Sequence, residues 1–416
     1  MTGSWFVGIV LLVLAPAAAP AEELRAAIAV RVLTPDPLLP VSGGIGPSTP
    51  ATEKLGELNA RALVLERGGT RVAIVSTDFL GFPGVLGDRV RERVTSVPAE
   101  QILIGATHTH SAPDCYGFPN GEGGTDADLD YLDDVCSEIA AAIEEAAGSL
   151  QPVSLRIATA KIAEGIAYNY YAPQLYDRRC SVIQAVASGG EPLATLVNYA
   201  IHPEVLGSQR GVLSPDLVGP LYERIEASGG GTGIFMNGAQ GGMITADARG
   251  PHPEGTEPWD ECVRIGHLLA DEALRIVARA RTARDPGLRC HFTDVEFPVD
   301  SPVIRTLIKA SPLGIASGDG STLTARIHFV ELGDARILTI PGEALPNIGY
   351  YLKRKLGGRH SLLFGLTNEA FGYILTKEDW FSFDRYDYVS RTCLGERTGE
   401  ILIRESLALV ERASER

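Results

Sequence analysis

"RALVLERGGTRVAIVSTDF" spans residues 61–79 and places an apolar run on each side of Gly68-Gly69. A Gly-Gly pair between runs rich in Val, Leu and Ile predicts a β-hairpin. The next segment, 84–97, has a helical pattern, and "QILIGA" (101–106) then predicts a short buried strand. A hairpin joined to a further strand through a helix favours a mixed β-sheet with helices packed outside.

The rest of the chain repeats this arrangement. Two further hairpins are predicted at 181–202 and 323–343, and further strands at 231–242 and 361–369. Helical periodicity is found at 126–150, 214–228, 260–280 and 399–415. No repeat or linker divides the sequence, so we predict one large α/β domain over residues 22–416, with a mixed β-sheet core built from hairpins and crossovers.

Composition narrows the class of protein. The chain has 416 residues, 45% of them hydrophobic, and a formal net charge of −15. A chain this acidic without basic clusters argues against binding to nucleic acid. The six cysteines include no C-x-x-C pair, which argues against a thiolate zinc site but leaves disulfide pairing open. Composition does not indicate an oligomeric state.

The N-terminus carries a targeting pattern. An apolar run from Trp5 to Leu14 is followed by small residues that end at Ala19-Pro20-Ala21. The run is shorter than a bilayer-spanning helix and predicts a signal peptide over residues 1–21. We therefore expect an exported protein, in the periplasm, secreted or otherwise extracytoplasmic.

Polar side chains follow the predicted strands where each strand ends. His108 and His110 follow the strand "QILIGA", and His202 ends the second hairpin. Glu343 ends the third hairpin, and Tyr373 follows the last strand. Imidazole and carboxylate ligands with an open position suit a hydrolytic zinc site. Each residue alone could be structural, and such a set could also accept iron or manganese.

These segments resemble the neutral/alkaline ceramidase family. "ATHTHSAPDCYG" (106–117) is similar to that family's "THTHSGPGGY" motif. Four further segments match in the same order: "VNYAIHPEVLG" (197–207), "FMNGAQGGMITAD" (235–247), "TIPGEALPNIG" (339–349) and "GLTNEAFGYILTKEDW" (365–380). The resemblance covers about residues 26–410. It implies the family's catalytic domain without its C-terminal immunoglobulin-like domain.

The resemblance implies a zinc-dependent hydrolase of lipid, and specifically sphingolipid, metabolism. It would cleave the amide bond of an N-acyl lipid or related amide with a metal-activated water. His108, His202, Glu343 and Tyr373 would hold Zn²⁺, and His110 would act beside it in catalysis. The expected partner is a small-molecule or lipid amide substrate, with peripheral membrane contact made through that substrate.

The sequence departs from the family at the glycine loop. The family's active-site serine in "GDVSP" is absent from "GGMITAD", and Thr245 is the nearest hydroxyl and so a weaker catalytic candidate. Asp114, Gln240 and Asn368 are predicted to contact the substrate. Two alternatives stay open: a non-catalytic zinc-site protein that binds a lipid or carbohydrate, and an amidohydrolase-type TIM barrel, which also uses a His-x-His pair.

Overall fold

A computed structural model describes Met1 and residues 23–250, 255–315 and 318–415. The predicted signal peptide, residues 1–21, lies outside this part of the chain apart from Met1. The strands of the described residues are β1 (Arg25–Val32), β2 (Val41–Ser42), β3 (Glu53–Lys54), β4 (Asn59–Arg67), β5 (Thr70–Thr77), β6 (Ile102–Ala106), β7 (Ala112–Pro113), β8 (Gln151–Lys161), β9 (Ala167–Asn169), β10 (Arg179–Ala187), β11 (Pro192–Tyr199), β12 (Val212–Leu213), β13 (Thr232–Asn237), β14 (Ile244–Ala246), β15 (Thr282–Ala283), β16 (Leu288–Pro298), β17 (Thr322–Leu332), β18 (Ala335–Thr339), β19 (Glu343–Ala344), β20 (His360–Phe364) and β21 (Tyr373–Ile374). The helices are α1 (Gly84–Arg93), α2 (Leu129–Gly148), α3 (Val218–Ala227), α4 (Pro258–Val277), α5 (Pro302–Ala310), α6 (Pro346–Leu356), α7 (Asp387–Arg391) and α8 (Thr398–Ser414).

The larger sheet has the strand order β13-β11-β10-β8-β1-β4-β5-β6, with β15 added beside β8. Neighbouring strands are antiparallel except for the pairs β11–β13 and β5–β6. The hairpins predicted at 61–79 and 181–202 are the pairs β4–β5 and β10–β11. The predicted mixed sheet with helices outside is therefore confirmed.

A smaller sheet, with the order β16-β17-β18-β20, packs face to face against the larger one. The third predicted hairpin is the pair β17–β18, and β20 runs parallel to β18. Helices α1 to α4 cover the outer face of the larger sheet, and α6 and α8 cover the smaller one. The molecule thus has four layers, two helical and two of sheet.

Strand β5 shows why these sequences read as unbroken apolar runs. Val72 and Ile74 point between the two sheets, whereas Ala73 and Val75 point toward the helices. Side chains alternate along a strand, so a strand buried on both faces needs apolar residues at every position. The same alternation in β6 places that strand in the interior up to the point where His108 follows it.

The TIM-barrel alternative is wrong. Such a barrel closes eight parallel strands on themselves. Here most strand pairs are antiparallel, and in the described residues β13 and β6 remain the two open edges of the larger sheet.

All six cysteines lie in the described regions and are free thiols. None of the helices described is both long and apolar enough to cross a membrane.

Candidate metal centre and active-site cleft

Asn237, at the end of β13, joins the strand ends that carry the candidate ligands. Its side-chain nitrogen donates to the carbonyl of Thr107 at 3.0 Å and to that of Ile201 at 2.7 Å. Its side-chain oxygen accepts from the Ile201 N–H at 3.2 Å. Thr107 and Ile201 directly precede His108 and His202, so one buried amide holds both histidine segments in place.

His108 and His202 are oriented by backbone carbonyls. The Nδ1 of His108 lies 2.5 Å from the Leu80 carbonyl, and that of His202 lies 2.8 Å from the Ile244 carbonyl. A carbonyl only accepts, so each Nδ1 carries the proton and each Nε2 keeps its lone pair. His108 also adopts the left-handed backbone conformation, with φ of 75°, which turns its ring away from the strand direction.

Glu343 completes a compact donor set with these two nitrogens. Its Oε2 lies 3.4 Å from His108 Nε2 and 3.2 Å from His202 Nε2. Tetrahedral zinc with bonds of about 2.0–2.1 Å holds neighbouring ligand atoms about 3.3 Å apart. Both distances from Glu343 Oε2 therefore match the separation that a zinc ion requires, and all three residues are buried.

Contacts within this donor set shift the pKa values of Glu343 and His202. Burial alone would raise the pKa of Glu343, but the His108 and His202 rings hold it well below its usual range. Burial would conversely lower the pKa of His202, yet its contact with the accepting Glu343 carboxylate and the charge of Glu204 raise it. A carboxylate that stays ionised beside imidazole nitrogens is the form that binds a metal.

His110 lies beside the set with an unsatisfied nitrogen. Its ring centroid is 4.8 Å from that of His108, and its Nε2 is buried with no hydrogen-bond partner. The nearest acid is Glu204, whose Oε2 is 4.0 Å away. Burial lowers the pKa of His110 to about 4, so the ring is neutral at neutral pH. The three histidines offer nitrogens within 4.8 Å of one another, so His110 could itself reach a metal.

Tyr373 and Thr245 border the donor set through contacts with other residues. Tyr373 pairs in register with Glu343 between β19 and β21, and its hydroxyl donates to Met243 Sδ at 3.2 Å. Burial, together with the Glu343 charge, raises the pKa of Tyr373 well above its ordinary value. The Thr245 hydroxyl donates to Glu204. Sequence reasoning missed Glu204, although it stands two positions after His202 in the quoted segment.

The three residues predicted to contact substrate occupy different surroundings. Asp114 accepts hydrogen bonds from the backbone N–H groups that follow it in its own loop. Asn368 bonds Arg91 and His328, on the far side of the strand that leads to His108. Gln240 is fully buried, and neither its side-chain nitrogen nor its oxygen has a hydrogen-bond partner. The structure thus brings none of these side chains into hydrogen bonding with the donor set.

An apolar cleft with a cavity volume of about 110 Å³ ends at the donor set. His108, His110, Glu343 and Tyr373 line its inner end. The walls are mainly apolar and come largely from α5 and the loops around it: Leu80, Ile304, Leu307, Ile308, Ile315, Leu323 and Phe371. At the mouth, Tyr388 is 50% exposed. A chain of methylene groups would fit such walls without leaving polar groups unpaired.

The fold, but not the sequence, is similar to that of known proteins. No protein-family model and no curated protein matches the sequence. Among solved structures, the neutral ceramidase from Pseudomonas aeruginosa superposes with a TM-score of 0.75 at 18% identity, covering 94% of this chain and 75% of that one. A ceramidase complexed with C2 gives a TM-score of 0.75 at 17% identity, covering 95% and 76%. The chain therefore has the fold of these ceramidase structures.

A glycine next to Glu343 provides a test of how the site is held. A Cβ on Gly241 would lie 2.7 Å from the carbonyl carbon of Glu343, where no real contact forms. Gly241→Ala should lower the free energy of unfolding by about 1–3 kcal/mol and displace Glu343. Thermal unfolding measures the first effect, and zinc titration the second.

The control is Gly189→Ala, because a Cβ there meets nothing within 4 Å. Its effect on stability should stay within about 0.5 kcal/mol. Equal stability and equal zinc affinity of the two variants would contradict the close packing of the glycine loop on Glu343.

Proposed function

We propose that this protein is a zinc-dependent hydrolase that cleaves the amide bond of an N-acyl substrate. The observation that carries the proposal is a buried carboxylate oxygen of Glu343 that lies 3.4 Å from His108 Nε2 and 3.2 Å from His202 Nε2 at the end of an apolar cleft. The fold shared with ceramidase structures supports an amide as the substrate.

His108, His202 and Glu343 would hold the zinc, and Tyr373 would be a weaker ligand beside Glu343. When bound, zinc lowers the pKa of water toward neutrality and polarises a carbonyl oxygen. The backbone carbonyls on both Nδ1 atoms keep the imidazoles in the ligating tautomer. The protein therefore fixes the ligating tautomer of both imidazoles before zinc binds.

His110 would transfer a proton from the attacking water to the leaving nitrogen. During hydrolysis the oxygen of water bonds to the carbonyl carbon, the C–N bond breaks, and the nitrogen leaves with a proton. The unpartnered Nε2 of His110 can take that proton from the water and return it to the leaving nitrogen. Thr245 would hold Glu204 next to His110 rather than attack the substrate, because its hydroxyl already donates to that carboxylate.

The shape of the cleft favours a lipid amide. Its apolar walls would bind an acyl or alkyl chain, and the reactive amide would lie at the polar inner end. Access to such a substrate would bring the cleft mouth, with the exposed Tyr388, to a membrane surface. Sphingolipid turnover outside the cytoplasm is the setting that this substrate and the predicted signal peptide suggest.

The test combines zinc loading with a panel of N-acyl amides and the corresponding esters. Purified protein should release amine from at least one long-chain amide, lose this activity on chelation and regain it with zinc. His267→Ala removes a histidine from the surface of α4 and should leave zinc content and turnover unchanged. Bound zinc with no turnover on any amide or ester would instead support a non-catalytic protein that binds a lipid or carbohydrate.

A further inference from the structure

A second carboxylate, that of Glu369, lies in the wall of the cleft outside the candidate donor set. Its side chain is buried, with 5% of the residue exposed, and it lines the cleft together with Tyr116 and Ala370. Its Oε2 accepts from the Gly84 N–H at 2.9 Å, and its Oε1 accepts from the Ala370 N–H at 3.0 Å. Across the described ranges, no Lys, Arg or His side chain forms an ion pair with it.

The surroundings are shaped to keep this carboxylate. A Cβ on Gly84 would lie 2.6 Å from Glu369 Oε2, and a Cβ on Gly81 would lie 2.7 Å from the Tyr116 ring. Both glycines thus leave space that the carboxylate and the phenol ring fill. The contact with Gly84 also caps the start of α1, but an amide oxygen could cap it equally well.

The carboxylate has unused capacity to bind a ligand. An ionised carboxyl group offers about four acceptor positions, and backbone groups fill two of them. A buried negative charge without a cation is costly, so the group gains free energy when a cation enters the cleft. Burial raises the pKa of Glu369 to about 7, against the lowering effect of the two backbone hydrogen bonds and of the Arg91 charge.

We propose that Glu369, beside the Tyr116 ring, binds an ammonium group carried by the apolar part of the substrate. This inference rests on the proposed function and narrows its substrate to lipid-like amides that bear an amine. The carboxylate would accept the ammonium N–H bonds. The apolar walls between Glu369 and the donor set would hold the intervening methylene groups.

The test is a binding measurement that requires no turnover. Octylammonium and its neutral counterpart octanol are titrated calorimetrically into the zinc-loaded full chain. A charge-assisted contact predicts that the cation binds about 10- to 100-fold more tightly than the alcohol. Octyltrimethylammonium, which has no lone pair for a metal, should also bind more tightly than octanol, which excludes coordination to zinc as the cause.

Glu369→Gln should abolish the preference for the cation and leave octanol affinity unchanged, because the amide keeps the cap on α1. Glu378→Gln, which neutralises an exposed acid outside the cleft, should keep the preference. Equal binding of both probes by the wild-type protein, or a preference that survives Glu369→Gln, would overturn the proposal. Equal binding by the wild-type protein overturns the proposal whether or not the variant folds. Failure here leaves amide hydrolysis untouched, and failure of hydrolysis leaves the binding result standing.

Discussion

Glu343→Gln is expected to remove zinc from the protein and with it all zinc-dependent hydrolysis. The wild-type chain should retain about one zinc ion after dialysis, because it offers a single set of ligands. Losing a group that only orients a metal ligand typically weakens metal binding about 10- to 100-fold, so loss of the Glu343 carboxylate itself should weaken zinc binding by more than about 100-fold. Inductively coupled plasma mass spectrometry on both proteins provides the measurement.

Glu369→Gln is the matched control for this substitution. It neutralises a carboxylate that is equally buried and lines the same cleft but makes no contact with His108 or His202. It should keep zinc at the wild-type level. Equal zinc retention by Glu343→Gln would show that Glu343 is not a ligand and would favour a site of three histidines.

His110→Ala is expected to keep zinc but lose most of the turnover. Its ring is not needed to complete the spacing set by His108, His202 and Glu343, so zinc content should stay at the wild-type level. General acid–base catalysis contributes about 10²–10⁴-fold, and kcat for an N-acyl amide should fall by that factor. Metal content and steady-state kinetics on the same preparation separate the two effects.

Loss of zinc in His110→Ala would assign that ring to the metal rather than to proton transfer. Unchanged kcat would remove it from the reaction altogether. His267→Ala again serves as the control, since it deletes an imidazole from α4 without approaching the cleft.

Local patterns predicted the hairpins and the long helices. β4–β5 and β10–β11 are joined by short glycine turns, so their pairing is decided within about 20 residues of sequence. The alternation in β5 buries both faces, and this apolar run marked the strand. β1 was not predicted, because "RAAIAVRV" is rich in alanine, a poor strand former, and its pairing with β4 lies far along the chain.

The candidate site was predictable only in part. The resemblance supplied His108, His202 and Glu343, and the structure places the Glu343 carboxylate within 3.4 Å of the Nε2 atoms of both histidines. No local pattern could show that Asn237 joins the histidine segments or that α5 forms the cleft wall, because both depend on contacts between distant parts of the chain. The stacking of the second sheet on the first was missed for the same reason.

The surroundings of two further carboxylates also depend on contacts between distant parts of the chain. Glu204 and Glu369 stand within quoted segments, but the sequence gives no sign that the first lies beside His110 and the second in the cleft wall. Their significance comes from Thr245 and His110 in one case and from the apolar cleft in the other.

The most direct measurement is anomalous diffraction at the zinc edge from crystals of the zinc-loaded protein. One peak is expected, about 2.0–2.2 Å from His108 Nε2, His202 Nε2 and a Glu343 carboxylate oxygen. A peak held by all three histidines with Glu343 turned away, or no peak at these residues after zinc loading, would contradict it.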